Sequence, residues 1–427
     1  MFKITDQISL NPSATLGINE KVAEMWAKGE TVYHFGFGES RFAVHPKLQQ
    51  ALAENAHRKS YLSVQGLPQL RKAVARYYSE RLGIGASAEQ VMITPGSKGM
   101  LFALQMALDA DLILPTPSWV SYAPQAKLLG KQVFTVESTA KTEYEWTIDQ
   151  LAAVVERIGN RPKLLILNSP SNPTGRMFSA SFLASLAEFC RQQKIFVISD
   201  EIYGLVPHGS QPHLSIAQYY PEGSAVLGGL SKHLSLGGWR LGHGILPATE
   251  PQLMQAVIKI ASEIWSCPTA PIQYAALSAY SGDSEIEAYI ADCAVIHTAR
   301  TQHLWGWLRE LGIRCPEPQG GFYLTPDFER WREPLAKKGV TTSAELAAYL
   351  LEEHHIATLP TSVFGMPAEA LSLRLATSYI DMEDDQAADR ILSRWQTVRD
   401  EELLMVNDHP QMAAAIGELQ RFVGLLG

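Results

Sequence analysis

Lys232 lies in a segment whose residue types could bind an anion and form a Schiff base. Within residues 229–240, Ser231 directly precedes the lysine, and Gly237, Gly238, Trp239 and Arg240 follow it. A serine hydroxyl and an arginine fork around the amine could hold a phosphate dianion. A desolvated lysine beside such cations has a lowered pKa, as Schiff-base chemistry requires. The competing interpretation is a solvated surface charge, which is what most lysines are.

Two further polar clusters each follow an apolar run. Residues 168–175 read Asn-Ser-Pro-Ser-Asn-Pro-Thr-Gly, and Asp200-Glu201 precede Tyr203 by a few positions. Asn, Pro and Gly are typical of turns, and acidic residues at strand ends commonly cap helices. Their positions directly after apolar runs favour a functional role for both clusters.

A fourth segment, residues 91–99, reads Val-Met-Ile-Thr-Pro-Gly-Ser-Lys-Gly and precedes a helical pattern over residues 100–108. A strand, a turn of small residues and a helix start form a nest of backbone N–H groups that binds anions. The signal is weak alone, because many strand-to-helix turns have this composition. Gly96, Ser97 and Lys98 are therefore candidate anion ligands.

Alternating strands and helices must position these residues. Residues 179–193 predict an amphipathic helix, and four apolar runs predict buried strands at 112–114, 164–167, 195–199 and 225–227. This alternation predicts a parallel sheet covered on both faces. Ligands of such sheets bind beyond the carboxyl ends of the strands. Asn168, Asp200 and Lys232 follow three different strands, so we expect them at one edge.

The composition excludes several classes of function. The chain has 427 residues, of which 46% are hydrophobic, so a large core is expected. Its net charge of −8 makes it mildly acidic and predicts no nucleic-acid partner. No apolar run is long enough to span a bilayer, and no signal peptide is evident. Four cysteines without a C-x-x-C pair, and no H-E-x-x-H, predict no metal site. We expect a cytoplasmic protein without a membrane partner.

These segments resemble the fold-type I aminotransferases of class I/II, which depend on pyridoxal 5′-phosphate (PLP), and in particular the bacterial aspartate/prephenate type. The motifs occur in the family's order from Ser13 to about Trp395, with Gly320-Gly321-Phe322-Tyr323 among them. The resemblance implies an α/β fold, with a mostly parallel seven-stranded sheet between helices and a smaller α+β domain. It implies transfer of an amino group from an L-amino acid to a 2-oxo acid such as 2-oxoglutarate.

The resemblance assigns catalytic roles to Lys232, Asp200 and Tyr203. Lys232 forms the Schiff base with PLP and moves the proton between the substrate Cα and the cofactor C4′. Asp200 faces the pyridine nitrogen and keeps it protonated, which makes the ring a better electron sink. Tyr203 stabilises the cofactor O3′.

Other residues match the family's cofactor contacts. Gly96, Ser97 and Lys98 form the phosphate loop, Trp119 lies beside the cofactor ring, Asn172 binds the phenolic oxygen, and Ser231 and Arg240 bind the phosphate. Gly229 stands where the family usually has a serine, which removes one hydroxyl contact.

The substrate residues implied by the resemblance are Arg374, Gly38, Asn172 and Lys98. Arg374 binds the α-carboxylate with its fork, and the Gly38 backbone contacts the same carboxylate. Without the resemblance, an arginine in a strand would be interpreted as protection of a sheet edge. Lys98 leaves two possibilities: it meets the distal carboxylate of aspartate, glutamate or prephenate, or it lies over the cofactor phosphate or points to water.

The chain both resembles the aspartate/prephenate subgroup and departs from it. Residues 12–15, Pro-Ser-Ala-Thr, resemble the subgroup's opening, and a Ser and a Thr there accompany the lysine in binding acidic substrates. Where the subgroup usually has Gly-Glu-Pro-Asp-Phe, this chain has Gly38-Glu39-Ser40-Arg41-Phe42. We expect the loss of proline to change the loop backbone, and Arg41 to reverse a charge near the entrance.

The resemblance also implies a homodimer, in which Tyr61 reaches the cofactor phosphate of the partner subunit. A change of pattern after about residue 295 predicts that residues 46–295 form the large PLP-binding domain. Residues 296–427 form a small domain with an extra tail, and residues 1–45 join it. Residues 412–426 of the tail predict an amphipathic helix.

Two alternatives remain at this point. A PLP-dependent β-lyase or an oxidase-like enzyme would use the same residues, because the bond that breaks depends on which one stands perpendicular to the ring. A regulator with an appended PLP-like domain would need a DNA-binding module. The roughly 30 residues before the matched core contain no helix-turn-helix pattern.

Overall fold

The computed structural model of the chain describes residues 14–427. The strands in this range are β1 Tyr33–His34, β2 Val91–Thr94, β3 Asp111–Thr116, β4 Val133–Glu137, β5 Lys163–Asn168, β6 Ile195–Asp200, β7 Ser224–Gly229, β8 Gly242–Ile245, β9 Tyr323–Leu324, β10 Ile356–Ala357, β11 Leu359–Pro360 and β12 Leu373–Ala376. The helices are α1 Ala14–Ala27, α2 Pro46–Asn55, α3 Pro68–Leu82, α4 Ser97–Ala107, α5 Tyr122–Leu128, α6 Ile148–Ile158, α7 Ala180–Gln193, α8 Pro251–Ile264, α9 Ala270–Ala279, α10 Ser284–Glu310, α11 Arg332–Lys337, α12 Ser343–His354, α13 Asp385–Val398, α14 Glu401–Asp408 and α15 Pro410–Gly424.

A seven-stranded sheet in the order β2-β8-β7-β6-β5-β3-β4 forms the centre of the large region. Strand β8 is antiparallel to both of its neighbours, and the other pairs are parallel. The fold class predicted from the sequence is confirmed. Each of the four predicted strands lies within β3, β5, β6 or β7.

Alternating side chains of the sheet pack against helices on two faces. Leu112 and Leu114 join one buried cluster with α4 and α8, whereas Ile113 between them joins the cluster formed with α6 and α7. This two-residue alternation explains why the strands are apolar throughout. Helix α7 begins where the sequence predicts, because the Ser179 hydroxyl accepts the Phe182 N–H at 3.2 Å and caps it.

A second region follows along the chain. Strands β11, β12 and β9 form an antiparallel sheet with β12 in the middle, and β1 pairs in parallel with β10. One buried cluster joins Phe35 to residues between 299 and 426, and α15 contributes to it, so the predicted tail helix is present. The predicted domain boundaries remain a proposal, and the one at residue 295 falls within α10.

No helix among the described residues combines the length and the apolar character needed to cross a membrane. Pro12 and Ser13, which resemble part of the subgroup's opening, lie outside the described residues.

Candidate active site

One cavity of about 400 Å³ brings together most of the predicted site residues. Gly96 and Tyr61 do not line it. The predicted residues that do line it are Gly38, Ser97, Lys98, Trp119, Asn172, Asp200, Tyr203, Ser231, Lys232, Arg240 and Arg374. Residues distant in sequence therefore meet in one place, as the strand-end argument predicts.

The sheet register explains this convergence. Asn168 at the end of β5 pairs with Asp200 at the end of β6, and Asp200 pairs with Leu227 of β7. Lys232 follows β7 by three residues. Because parallel strands end at one edge, hydrogen bonding of the sheet carries these groups to the cavity.

Gly229, the last residue of β7, differs from the family's usual serine for a packing reason. A Cβ at this position would lie 2.8 Å from the Leu241 carbonyl oxygen and 3.0 Å from the Gly242 Cα. Both are backbone atoms of the neighbouring segment, so a side chain does not fit without moving the sheet. From the sequence alone, glycine at this position indicates only that a hydroxyl group is missing.

Asp200 is a buried carboxylate, 3% exposed, at the floor of the cavity. Burial raises its pKa to about 6, although hydrogen bonds from the Tyr122 hydroxyl and the Ile202 N–H oppose the shift. The Tyr122 hydroxyl donates to Asp200 Oδ2 at 2.9 Å. Sequence reasoning missed this role of Tyr122, and its only signal was proximity to Trp119.

Lys232 extends into the same cavity. Its Nζ donates to the Gly38 carbonyl at 2.8 Å and lies 5.6 Å from the centre of the Tyr203 ring. Its pKa is lowered to about 8, chiefly by burial; the positive charges of Arg374 and Arg240 act in the same direction, and the carboxylates of Glu39 and Asp200 oppose the shift. A lysine so shifted has a free-amine fraction near neutral pH, as the sequence analysis requires.

The opposite end of the cavity is suited to an anion. Gly96, with φ of 82°, precedes α4, and a Cβ there would lie 2.4 Å from Arg240 Nη2. Glycine thus lets the guanidinium approach the start of α4, where Ser97 begins the helix. Ser231 lines the same space. Arg240 forms no ion pair with any residue in the range 14–427.

Tyr203 and Asn172 lie on the wall beside Asp200. The hydroxyl oxygens of Tyr203 and Tyr323 are 2.7 Å apart, and both rings are buried. Asn172 is held by its own N–H, which donates to Asn168 Oδ1 at 2.7 Å. Its Oδ1 is buried and has no hydrogen-bond partner among the described residues.

Gly38 must be glycine because of Tyr323. A Cβ at Gly38 would lie 2.2 Å from the Tyr323 hydroxyl oxygen. Tyr323 lines the cavity, although the sequence indicates only that it belongs to the motif Gly320-Gly321-Phe322-Tyr323. The position of its hydroxyl could not be found from the motif, because it depends on the packing of β9 against the loop at Gly38.

Arg374 is 2% exposed and lies in β12. The alternative that Arg374 protects the edge of a sheet is wrong, because β12 is the central strand of its three-stranded sheet. Its Nη2 donates to the Gly36 carbonyl at 2.6 Å, and its Nε is buried without a partner among residues 14–427. The guanidinium lies 5.2 Å from the Tyr323 ring centre.

Lys98 lies on the outer side of the cavity. Its Nζ is 5.0 Å from the centre of the Trp119 ring, and burial followed by the charge of Arg240 lowers its pKa. Thr15 and Leu16 of α1 also line the cavity. The structure therefore leaves a cation and small polar groups available to a substrate side chain.

Arg41 does not line the cavity. It pairs with Glu39 at 3.4 Å and Asp385 at 3.9 Å, donates to the Glu383 carbonyl at 3.1 Å, and packs on the Tyr379 ring. These contacts engage its charge, and Glu39 is the one of these partners that also lines the cavity. Tyr61, by contrast, is 90% exposed and touches no part of the cavity in this chain.

A second cavity of about 450 Å³ adjoins the first across Asn168 and Asn172. Its lining mixes aromatic residues, among them Trp146, Phe178 and Phe182, with polar ones. It contains neither Lys232 nor Asp200 nor Arg374, so the cavity described above is the one equipped for chemistry.

Comparison with known proteins adds an independent finding. The family model described as aminotransferase class I and II matches residues 30–391. The chain is 36% identical over 384 residues to an aspartate aminotransferase of Geobacillus stearothermophilus, covering 88% of this chain and 94% of the relative. It is 31% identical over 369 residues to an aspartate/prephenate aminotransferase of Cereibacter sphaeroides, covering 84% and 90%. A solved aspartate aminotransferase of Thermus thermophilus with maleate superposes with a TM-score of 0.81 at 25% identity, covering 92% of this chain and 99% of that one.

Proposed function

The chain belongs to the family of class I and II aminotransferases and is an aminotransferase, and we propose that it uses PLP and prefers acidic amino acids such as aspartate as amino donors. The β-lyase and oxidase-like alternatives are not favoured. The observation that carries the proposal is that Lys232, Asp200 and Arg374 meet in one cavity, each without an ion-pair partner among residues 14–427. Unpaired buried charges are costly, so such a group of charges favours a charged ligand.

The donor set suits PLP. The start of α4, Ser231 and Arg240 would hold its phosphate, and the unpartnered Oδ1 of Asn172 marks a polar wall beside its ring. Asp200 has no cationic partner in the described chain and would face a protonated ring nitrogen. Three separate features of the cavity thus match three separate groups of one cofactor.

PLP, when bound, supplies an electron sink next to the substrate Cα and an acceptor for the amino group. Lys232, with its pKa lowered to about 8, is suited to take the proton from the substrate Cα and return it. The Asp200 carboxylate would hold a proton at the ring nitrogen of the bound cofactor, and the Tyr122 hydroxyl orients that carboxylate. Tyr203 presents its hydroxyl to the same wall, tied to Tyr323.

Arg374 would orient the substrate through its α-carboxylate. The fork lies between aromatic rings, and Gly36 occupies only Nη2. A bidentate carboxylate would fix the Cα–H direction while Gly38 offers backbone at the same place. This arrangement serves every α-amino acid and does not discriminate among side chains.

Lys98 supports the preference for acidic side chains. It has no ion-pair partner among the described residues, and the cavity wall around it includes Thr15. The relatives named above carry the word aspartate in their names, and maleate in the Thermus structure is a dicarboxylate. A second carboxylate on the substrate would neutralise the cation.

We further propose a homodimer in which Tyr61 completes the partner's phosphate site. Tyr61 is 90% exposed in the single chain and so is accessible to a second copy, and the sequence motif around it matches the family's intersubunit tyrosine. Burial against a second copy would remove that surface from water.

A half-reaction screen tests the function. Each amino acid is added to the PLP-loaded protein, and the visible absorbance of the cofactor is followed together with the 2-oxo acid and ammonia. Aspartate and glutamate are expected to convert the cofactor and leave a 2-oxo acid without free ammonia. Release of ammonia would contradict transamination, and faster conversion by alanine than by aspartate would contradict the acidic preference.

A further inference from the structure

The Ser40 hydroxyl joins three separate segments of the chain. Its Oγ lies 2.6 Å from Ser235 Oγ and 2.9 Å from His297 Nε2. Ser40 is only 2% exposed, and its bond to His297 is buried, whereas its bond to Ser235 is partly buried. The partners belong to the loop after Lys232 and to α10, while Ser40 itself follows Gly38.

These contacts close a ring around Lys232. Gly38 O accepts Lys232 Nζ at 2.8 Å, Ser40 is two residues beyond Gly38, and Ser235 is three residues beyond Lys232. The ring therefore consists of two short backbone stretches and two hydrogen bonds. If the Ser40–Ser235 bond is lost, the bond of the lysine itself is the remaining hydrogen bond of this ring.

The local conformations indicate that this ring is constrained. Ser235 has a φ of 57°, which side-chain-bearing residues rarely adopt and which persists when neighbouring contacts hold it. His297, packed between the Phe42 and Phe322 rings, is kept neutral because burial holds its pKa well below the ordinary value. The bonds of Ser40 therefore add no charge next to Lys232.

We propose that Ser40 is a positioning residue, whose bonds to Ser235 and His297 hold the Lys232 amine against the Gly38 carbonyl. The proposal rests on the proposed function for its catalytic meaning, because Lys232 is the residue that would move the substrate proton. Proline, which the resembling subgroup usually has here, carries no hydroxyl and could not form this link. The serine at this position thus provides a hydrogen-bonded link that a proline could not.

Chemical labelling of Lys232 in the cofactor-free protein tests the position of the amine directly. Acetic anhydride labels free amines, and mass spectrometry quantifies modification of Lys232 against exposed lysines in the same sample. Ser40→Ala is expected to raise the labelling rate of Lys232 by about threefold or more, because a lost hydrogen bond is worth roughly 1 kcal/mol. Both exposure and the free-amine fraction rise when the carbonyl acceptor moves away.

Three further variants separate positioning from general loosening. Ser40→Thr keeps the hydroxyl and is expected to label like the unaltered protein. Ser235→Gly removes the other end of the bond, suits the left-handed φ, and is expected to label like Ser40→Ala. Ser224→Ala removes a buried hydroxyl that donates to the Tyr220 carbonyl at 2.6 Å, and labelling of Lys232 is expected to stay unchanged. Equal labelling in Ser40→Ala and Ser224→Ala would overturn the proposal.

Steady-state kinetics of the PLP-loaded variants give the catalytic consequence. Ser40→Ala is expected to lower kcat by about threefold to tenfold with KM within about twofold, because Arg374 still holds the substrate. An unchanged kcat beside faster labelling would overturn the catalytic part. If the unaltered protein failed to transaminate, the proposed function would fall, while the labelling data would still decide whether Ser40 positions Lys232.

Discussion

The two sides of the active-site cavity are built differently. On the cofactor side, Asp200 and Tyr203 are buried at a strand end and hydrogen-bonded by Tyr122 and Tyr323. The residues proposed to meet a substrate side chain are Lys98 and the first residues of α1, where Leu16 is 59% exposed. One side is enclosed by the sheet, and the other is open to water.

This difference separates the reaction from its specificity. The cofactor side cannot move without breaking the register that pairs Asn168 with Asp200. Helix α1 packs elsewhere, through Val22 in a small cluster with Leu351 and Ala357. We therefore expect the sheet to determine the chemistry, and Lys98 with the start of α1 to influence the choice of substrate.

Removal of Lys232 should give the largest loss. Lys232→Ala is expected to lower the transamination rate by about 10⁴-fold, because the proton-transfer group and the cofactor link disappear together. Stopped-flow half-reactions with aspartate measure the effect. Lys259→Ala, an exposed lysine of α8, should behave like the unaltered protein. Comparable rates in both variants would show that the cofactor side is not where the reaction occurs.

Arg374 is proposed to bind the α-carboxylate that all amino-acid substrates share, so its removal bears on both sides. Arg374→Ala should lower kcat/KM by about 10²- to 10³-fold for every amino acid, as expected when a buried charge pair loses one partner. Arg374→Lys should recover little, since lysine lacks the planar fork. Kinetics with aspartate, alanine and phenylalanine measure this. A loss confined to aspartate would instead assign Arg374 to the side-chain side.

Burial of Asp200 on the cofactor side is expected to make the free energy of unfolding of the cofactor-free chain depend on pH. Burial raises the pKa of Asp200 to about 6 from its ordinary 3.8, so between these values the folded chain holds more protons than the unfolded chain. Stability due to this group is full at low pH and falls as pH rises through 6, by on the order of 3 kcal/mol.

Asp200→Asn removes that cost. Urea unfolding of the cofactor-free variant at pH 8 should show a higher free energy of unfolding than the unaltered chain, and the difference should vanish near pH 3.5. Asp389→Asn, an exposed aspartate of α13, is the matched control. A constant difference at all pH values would show that ionisation of Asp200 is not its source.

On the open side, Lys98 should affect only some substrates. Lys98→Met, which keeps the length and removes the charge, is expected to lower kcat/KM for aspartate about tenfold, because the distal carboxylate loses its cation. The value for alanine should stay within about twofold. Equal losses for the two substrates would place Lys98 at the phosphate and contradict the acidic preference.

Arg41 should give the smallest effect. Arg41→Asp introduces the negative charge that is usual at this position in the aspartate/prephenate subgroup. Arg41 does not line the cavity, however, and it pairs with Glu39 and Asp385. Exposed ion pairs contribute little, so kcat/KM for aspartate should change less than about threefold at physiological salt. A tenfold change would show that the charge at the entrance selects substrates.

The main strands, helix α7 and the location of the candidate site could be predicted from the amino-acid sequence alone. The strands over 195–200 and 224–229 follow from apolar runs, and α7 from its period and its Ser179 cap. Strand ends then place Asp200 and Lys232 at a common edge. These inferences succeed because each depends on residues close together in the chain, or on the general geometry of parallel sheets.

Contacts between distant segments required the tertiary structure. The Tyr122 bond to Asp200, the Tyr323 hydroxyl over Gly38 and the lack of room for a side chain at Gly229 leave no periodic trace in the sequence. Arg41 is a further example. Its position in the sequence, three residues after Gly38, predicts a place near the cavity entrance, but its side chain pairs with Glu39 and Asp385 and does not line the cavity. Local patterns encode which elements form, whereas the direction of a side chain depends on what packs against it from elsewhere in the chain.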